Sequence, residues 1–106
     1  MISIVNRARS DDGVYVARPS IFGNPFEIGK DGTRAEVIVK YEEYFIRQVA
    51  VNVMFQNEFK KLVNLAAQGD LRLACWCHPK PCHAAVIKKY IEIELSKLQM
   101  KNLFGP

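Results

Sequence analysis

The stretch Leu71-Arg-Leu-Ala-Cys-Trp-Cys-His-Pro-Lys-Pro-Cys-His83 reads as a buried strand, a proline-bridged turn and the start of a helix. Leu71 to Trp76 is an apolar run of strand length. His78-Pro-Lys-Pro81 cannot continue it, because each proline fixes φ and removes an amide donor. From near Cys82 onward, Val86, Ile87, Tyr90, Ile91, Leu95 and Leu98 recur at helical spacing, and the helix is expected to fray by Met100. Strand followed by helix is the working unit of an α/β domain, in which a crossover to a parallel strand is expected.

Working outward, Ile2 to Arg7 alternates and is β-branched, so it reads as a first strand. Ser10-Asp-Asp-Gly13 is a turn signal, and Val14-Tyr-Val-Ala17 a second short strand. Arg18-Pro-Ser-Ile-Phe-Gly-Asn-Pro-Phe26 is a shaped loop, since Pro19 and Pro25 lack amide donors and Gly23-Asn24 tolerates positive φ. Its Ile21, Phe22 and Phe26 must pack against the body of the protein. Gly29 to Gly32 is a further turn. Thr33 with Glu36 is a capping box, which predicts a helix carrying Val37, Ile38, Tyr41, Tyr44, Phe45 and Gln48 near one face. Asn52 to Gln56 breaks that helix. A second helix carries Phe55, Phe59, Leu62, Val63 and Ala66, with Gly69 placed to end it as a C′ residue. The expected fold is a single small α/β domain over residues 1–106, with a few-stranded, partly parallel sheet packed by about three helices.

A chain of 106 residues supports one modest core, and 49% hydrophobic residues fits a folded globular class. No apolar run approaches the roughly 18–20 residues that a membrane span needs. The N-terminus lacks the basic-then-apolar order of a signal peptide. The cytoplasm is therefore the expected compartment, where three cysteines serve as thiols or ligands rather than as a disulfide framework. The net charge of +4 favours anionic partners such as a nucleotide or phosphate. Nucleic acid is a weaker expectation, because the basic residues are spread along the chain. Lys88, Lys89, Lys97 and Lys101 read most simply as a solvated helix face.

All three cysteines and both histidines fall between Cys75 and His83. Three readings stay open. In the first, Cys82 lies in the first helical turn, where the helix dipole lowers a thiol's pKa, and acts as nucleophile or anion-site residue. His83 or His78 is then the acid–base group, and Lys80 adds positive charge. In the second, Cys75, Cys77, Cys82 and His83 form a Cys₃His zinc set, although C-x-C-x₄-C-H is unlike the usual pair spacing. In the third, the cysteines are small core hydrophobes.

A second constellation is Arg18, Gly23, Asn24 and Pro25. Arg18 suits a phosphate or carboxylate in fork geometry. Gly23 permits close backbone approach to a ligand, and Asn24 offers a donor and an acceptor to a base or sugar edge. The alternative is a structural turn. Arg34 sits in a first helical turn, where the dipole disfavours a cation unless an acidic group or ligand compensates. Tyr15 and Trp76 offer faces for stacking a base, although either residue type is more often core.

The R-P-S-x-x-G-N-P-F motif of Arg18–Phe26 and the C-x-C-x-P-x-x-C-H motif of Cys75–His83, with Gly32-Thr-Arg34 and Tyr41, resemble domain-of-unknown-function family 4326 of phages and bacteria. The likeness runs from about residue 2 to about residue 95. The ending Cys-His at a strand-to-helix junction also looks like family 488, another α/β group. One departure is Ala84, where many members carry Gly, which narrows the room at the helix start. The resemblance implies a fold, a site and a phage or bacterial host cytoplasm, but no reaction.

The expected function is a small enzyme or ligand-binding domain acting on a nucleotide, nucleoside or related phosphorylated metabolite, without a cofactor. If it is an enzyme, a transferase or hydrolase is implied. The alternative is a zinc-stabilised module that engages nucleic acid or a host protein.

Overall fold

The structure, a computed structural model, describes residues 1–9 and 12–104. In chain order its elements are β1 (Ile2–Asn6), β2 (Val14–Tyr15), α1 (Arg34–Val51), α2 (Val53–Gln68), β3 (Leu71–Cys75) and α3 (Ala84–Phe104). β3 is the central strand of the order β1-β3-β2, and both pairings are parallel. The register aligns Ile2 with Leu71 on one side and Val14 with Leu73 on the other. The expected α/β domain is therefore present, and its described sheet is wholly rather than partly parallel. Every strand thus points its carboxyl end at the same edge, which is where α/β folds keep their ligands.

Local chemistry explains the helices. The Thr33 side chain accepts from the Glu36 amide while the Glu36 carboxylate accepts from the Thr33 amide, so the capping box that opens α1 is closed in both directions. That bonding also holds the Glu36 carboxyl below its ordinary value. Asn52 alone makes the break that the sequence spread over five residues. Its amide donates to the Gln48 carbonyl at the end of α1, and its side chain accepts from the Phe55 amide at the start of α2. Gly69 ends α2 with φ 172°, which is extended backbone rather than the left-handed C′ conformation expected of it. α3 opens at Ala84, two residues after Cys82, and runs four residues past the expected fraying point at Met100.

The core lies between the sheet and the three helices. Phe45 is its centre: its ring packs 5.3 Å from each of Phe55, Phe59 and Tyr90. Edge-on contacts dominate, with Tyr90 stacked instead, and such pairs add about 0.5–1.5 kcal/mol beyond their buried area. Leu73, Ile87 and Ile91 are fully buried and join β3 to α3. Glu42 of α1 accepts from Lys89 Nζ at 2.7 Å and Tyr90 Oη at 2.6 Å on α3, and both bonds lower its carboxyl pKa. No described helix is long and apolar enough to cross a membrane.

The turn signal ahead of β2 falls partly on Ser10 and Asp11, which lie outside the described residues. Gly13 of that turn has φ +103°, and a Cβ there would meet the Arg72 carbonyl at 2.7 Å. Glycine is required at this point both by backbone conformation and by space.

Candidate functional site

Beyond the carboxyl ends of β2 and β3 the chain runs into two loops, Ala17–Gly32 and Trp76–His83. They face one another across a cleft of about 560 Å³ that α1 closes from a third side. Arg18, Asn24, Phe26 and Glu27 come from the first loop, Arg34, Val37 and Ile38 from α1, and Cys75, Trp76, Cys77, Pro81, Cys82 and His83 from the strand end and second loop. The volume lies in the range of small-molecule sites. The two motifs that stand apart in the sequence thus wall a single space.

Turns and one isolated bridge, Ile28 with Gly32, pair part of the backbone of these loops, and the rest needs other partners. Side chains supply them. Asn6, at the end of β1, donates from Nδ2 to the His78 carbonyl at 2.7 Å. Tyr15 Oη donates to the Arg18 carbonyl and accepts from Trp76 Nε1 at 2.8 Å, which links the two loops. Asn24 Nδ2 donates to the Val37 carbonyl, and Asn24 Oδ1 accepts from the Phe26 amide. The Tyr41 hydroxyl donates to the buried Phe22 carbonyl at 2.7 Å, and its burial pushes its pKa upward. Arg34 donates from its guanidinium to the Pro81 carbonyl at 3.1 Å, so the cation at the start of α1 clamps the second loop.

Gly23 is buried against Arg18: a Cβ would lie 2.8–2.9 Å from Arg18 Cγ, Cα and N. Its close approach is to the chain's own backbone rather than to a ligand, and it does not line the cleft. Pro25, His78 and Lys80 are exposed and also outside the lining. Asn24 does line it, but its carbonyl oxygen and one amide hydrogen are already committed to backbone.

His83 is the histidine that faces the cleft. It is 7% exposed, and its Nε2 lies 2.8 Å from the Val16 carbonyl. A carbonyl can only accept, so Nε2 carries the hydrogen and Nδ1 the lone pair of a neutral imidazole. Burial lowers the pKa, Arg18 lowers it further, and the Val16 carbonyl opposes both. The ring also packs edge-on to Tyr41, with centroids 5.0 Å apart.

The cysteines differ from one another. Cys75 is fully buried, Cys82 is 6% exposed, Cys77 is half-buried, and all three are free thiols lining the cleft. Cys75 Sγ and Cys82 Sγ are 3.2 Å apart. Burial pushes Cys82 up to about 12, with the Cys75 hydrogen bond adding to the rise and the Ala84 amide opposing it. That reverses the expected activation. Cys82 precedes the helix instead of occupying its first turn, and desolvation outweighs the helix terminus. Cys75, Cys77, Cys82 and His83 line one cleft, but among the described residues no group of three or more Cys, His, Asp or Glu has the arrangement of a metal site.

Sequence reasoning missed Glu27, which lies 3.4 Å from Arg18 at the cleft mouth, and the positioning asparagine Asn6. Glu27 stands directly after the R-P-S-x-x-G-N-P-F motif, which is the signal that marks it. Trp76 is 56% exposed and therefore a cleft wall instead of core.

The family model described as domain of unknown function (DUF4326) matches residues 5–93. An uncharacterized 12.4 kDa protein in the nrdA-td intergenic region of Enterobacteria phage T4 is 35% identical over 85 residues, which cover 79% of this chain and 71% of that protein. No solved structure gives a significant match. The chain belongs to the DUF4326 family, as the two motifs had indicated.

Proposed function

We propose that this DUF4326 protein is a small domain that binds a nucleotide or a related phosphorylated nucleoside in the cleft between its two motif loops. One observation carries the reading. Two guanidiniums, Arg18 and Arg34, stand on a cleft whose other walls include Trp76 and Phe26. A phosphate takes charge-assisted hydrogen bonds from the guanidiniums, each worth about 1.5–3 kcal/mol. A base stacks on the exposed aromatic face. Neutral His83 offers an acceptor nitrogen suited to a base N–H or, in a reaction, to proton abstraction. Covalent attack by Cys82 is not part of the proposal, since a thiol with its pKa near 12 is almost wholly protonated at neutral pH.

Trp76 is the sole tryptophan of the chain and stands at the cleft, so its fluorescence reports binding directly. Titration with nucleoside mono-, di- and triphosphates should give a saturable change. Unphosphorylated nucleosides should bind at least roughly tenfold more weakly, the worth of about one charged hydrogen bond. Arg34→Ala should weaken nucleotide binding by a similar factor. If no nucleotide alters the fluorescence or gives a calorimetric signal at concentrations up to about 1 mM, where binding is worth only about 4 kcal/mol, the proposal fails.

A further inference from the structure

The 3.2 Å contact between Cys75 Sγ and Cys82 Sγ lies on the cleft floor and does not enter the reading of nucleotide binding. β3 delivers Cys75 and the segment leading into α3 delivers Cys82. Closing the pair to a disulfide, with its bond of about 2.05 Å, takes roughly 1 Å of approach. Both sulfur-bearing residues line the cleft, and the partial exposure of Cys82 opens that sulfur to a small oxidant without unfolding the protein. Cys82 is the more accessible of the two, at 6% exposure against 0% for Cys75.

We propose that Cys75 and Cys82 are a modification site, a dithiol that a hydroperoxide converts to a disulfide beneath the cleft. The Cys82 sulfur attacks the terminal oxygen of the hydroperoxide, the O–O bond breaks, and the thiol proton leaves with the departing alkoxide as an alcohol. Cys82 is then a sulfenic acid. The neighbouring Cys75 sulfur attacks the Cys82 sulfur, the S–O bond breaks, and hydroxide leaves with the Cys75 proton as water. Two thiols and one hydroperoxide give one disulfide, one alcohol and one water. Because desolvation keeps the Cys82 thiol protonated, the first step is slow. The proposal does not depend on what the cleft binds.

The test uses the full chain carrying Cys77→Ser, which leaves only the pair. It is oxidised in its native state with hydrogen peroxide, denatured, alkylated with iodoacetamide and weighed intact. The expected result is a monomer with no alkylatable thiol and a mass about 2 Da below the reduced chain, restored by dithiothreitol. Adding Cys75→Ser should abolish that loss, leaving Cys82 either alkylatable or carrying added oxygen. The wild-type chain should retain one alkylatable thiol, located at Cys77 by fragmentation, and this result decides the matter if Cys77→Ser does not fold. Retention of both thiols in Cys77→Ser, mass gain without thiol pairing, or a wild-type disulfide that includes Cys77 would each overturn the proposal.

Discussion

The helical side of the molecule and the cleft side are held by different kinds of contact. Between α1, α2 and α3, side chains meet side chains, and the centre is a ring of aromatics around Phe45. Around the cleft, side chains meet backbone carbonyls: Asn6 at His78, Asn24 at Val37, Arg34 at Pro81, Tyr41 at Phe22 and His83 at Val16. The first side gains from area removed from water, which is tolerant of direction. The second depends on single directional bonds that satisfy irregular backbone. Stability is therefore concentrated in the helices, while the shape of the cleft rests on a few polar atoms.

The comparison predicts a graded set of losses. Phe45→Ala should cost about 3–5 kcal/mol by chemical denaturation, because it empties the point where four rings meet. A loss below about 1 kcal/mol would break the claim that the aromatic ring is the main source of stability. Tyr41→Phe keeps the ring and removes only the bond to the Phe22 carbonyl, so about 1–3 kcal/mol is expected, with the first loop loosened in hydrogen exchange. Equal protection of that loop in both proteins would contradict the directional account.

His83 adds a pH dependence. Its folded pKa lies below the ordinary value of 6.5, so the folded state favours the neutral ring. Its contribution is fully present above about pH 6.5 and is lost as pH falls through the lower folded value. His83→Gln should flatten that part of the stability–pH curve, and an unchanged slope would remove His83 as its source. The smallest expected effect on stability is that of Arg34→Ala, which removes a single solvent-accessible bond to the Pro81 carbonyl and should cost about 1 kcal/mol or less. The same substitution should weaken nucleotide binding about tenfold. A large loss of stability with unchanged binding would reverse the roles assigned to that side chain.

Much of the helical side was legible in the sequence, because periodicity and capping are local. Thr33 with Glu36 marked the start of α1, and the apolar spacing of Val86, Ile87, Tyr90 and Ile91 marked the buried face of α3. The parallel pairing followed from strand–helix order. The cleft side was legible only as composition. Both motifs announced a site, and Arg18, Arg34, Cys82 and His83 do reach one cleft. Which carbonyl each polar group meets depends on contacts far apart in the chain, such as Arg34 with Pro81. That is why the sequence leaves Gly23 and Asn24 open between facing a ligand and shaping a turn: Gly23 packs on Arg18, while Asn24 lines the cleft and also bonds loop backbone. It is also why an activated Cys82 stands among the readings the sequence leaves open: a helix start two residues later, with burial, raises its pKa instead.

The central position of β3 bears on how the chain is made. Ile2 pairs with Leu71, and Val14 with Leu73, so both edge strands leave the ribosome long before their only described partner exists. At roughly 5–20 residues per second, β1 waits about 3–14 s for β3 to be synthesised. During that interval α1 and α2 are synthesised, while Tyr90 of α3, which packs on Phe45 of α1, is still to come. The described sheet therefore cannot assemble before β3 is made, and the cleft comes into being only when Cys75 to His83 have emerged.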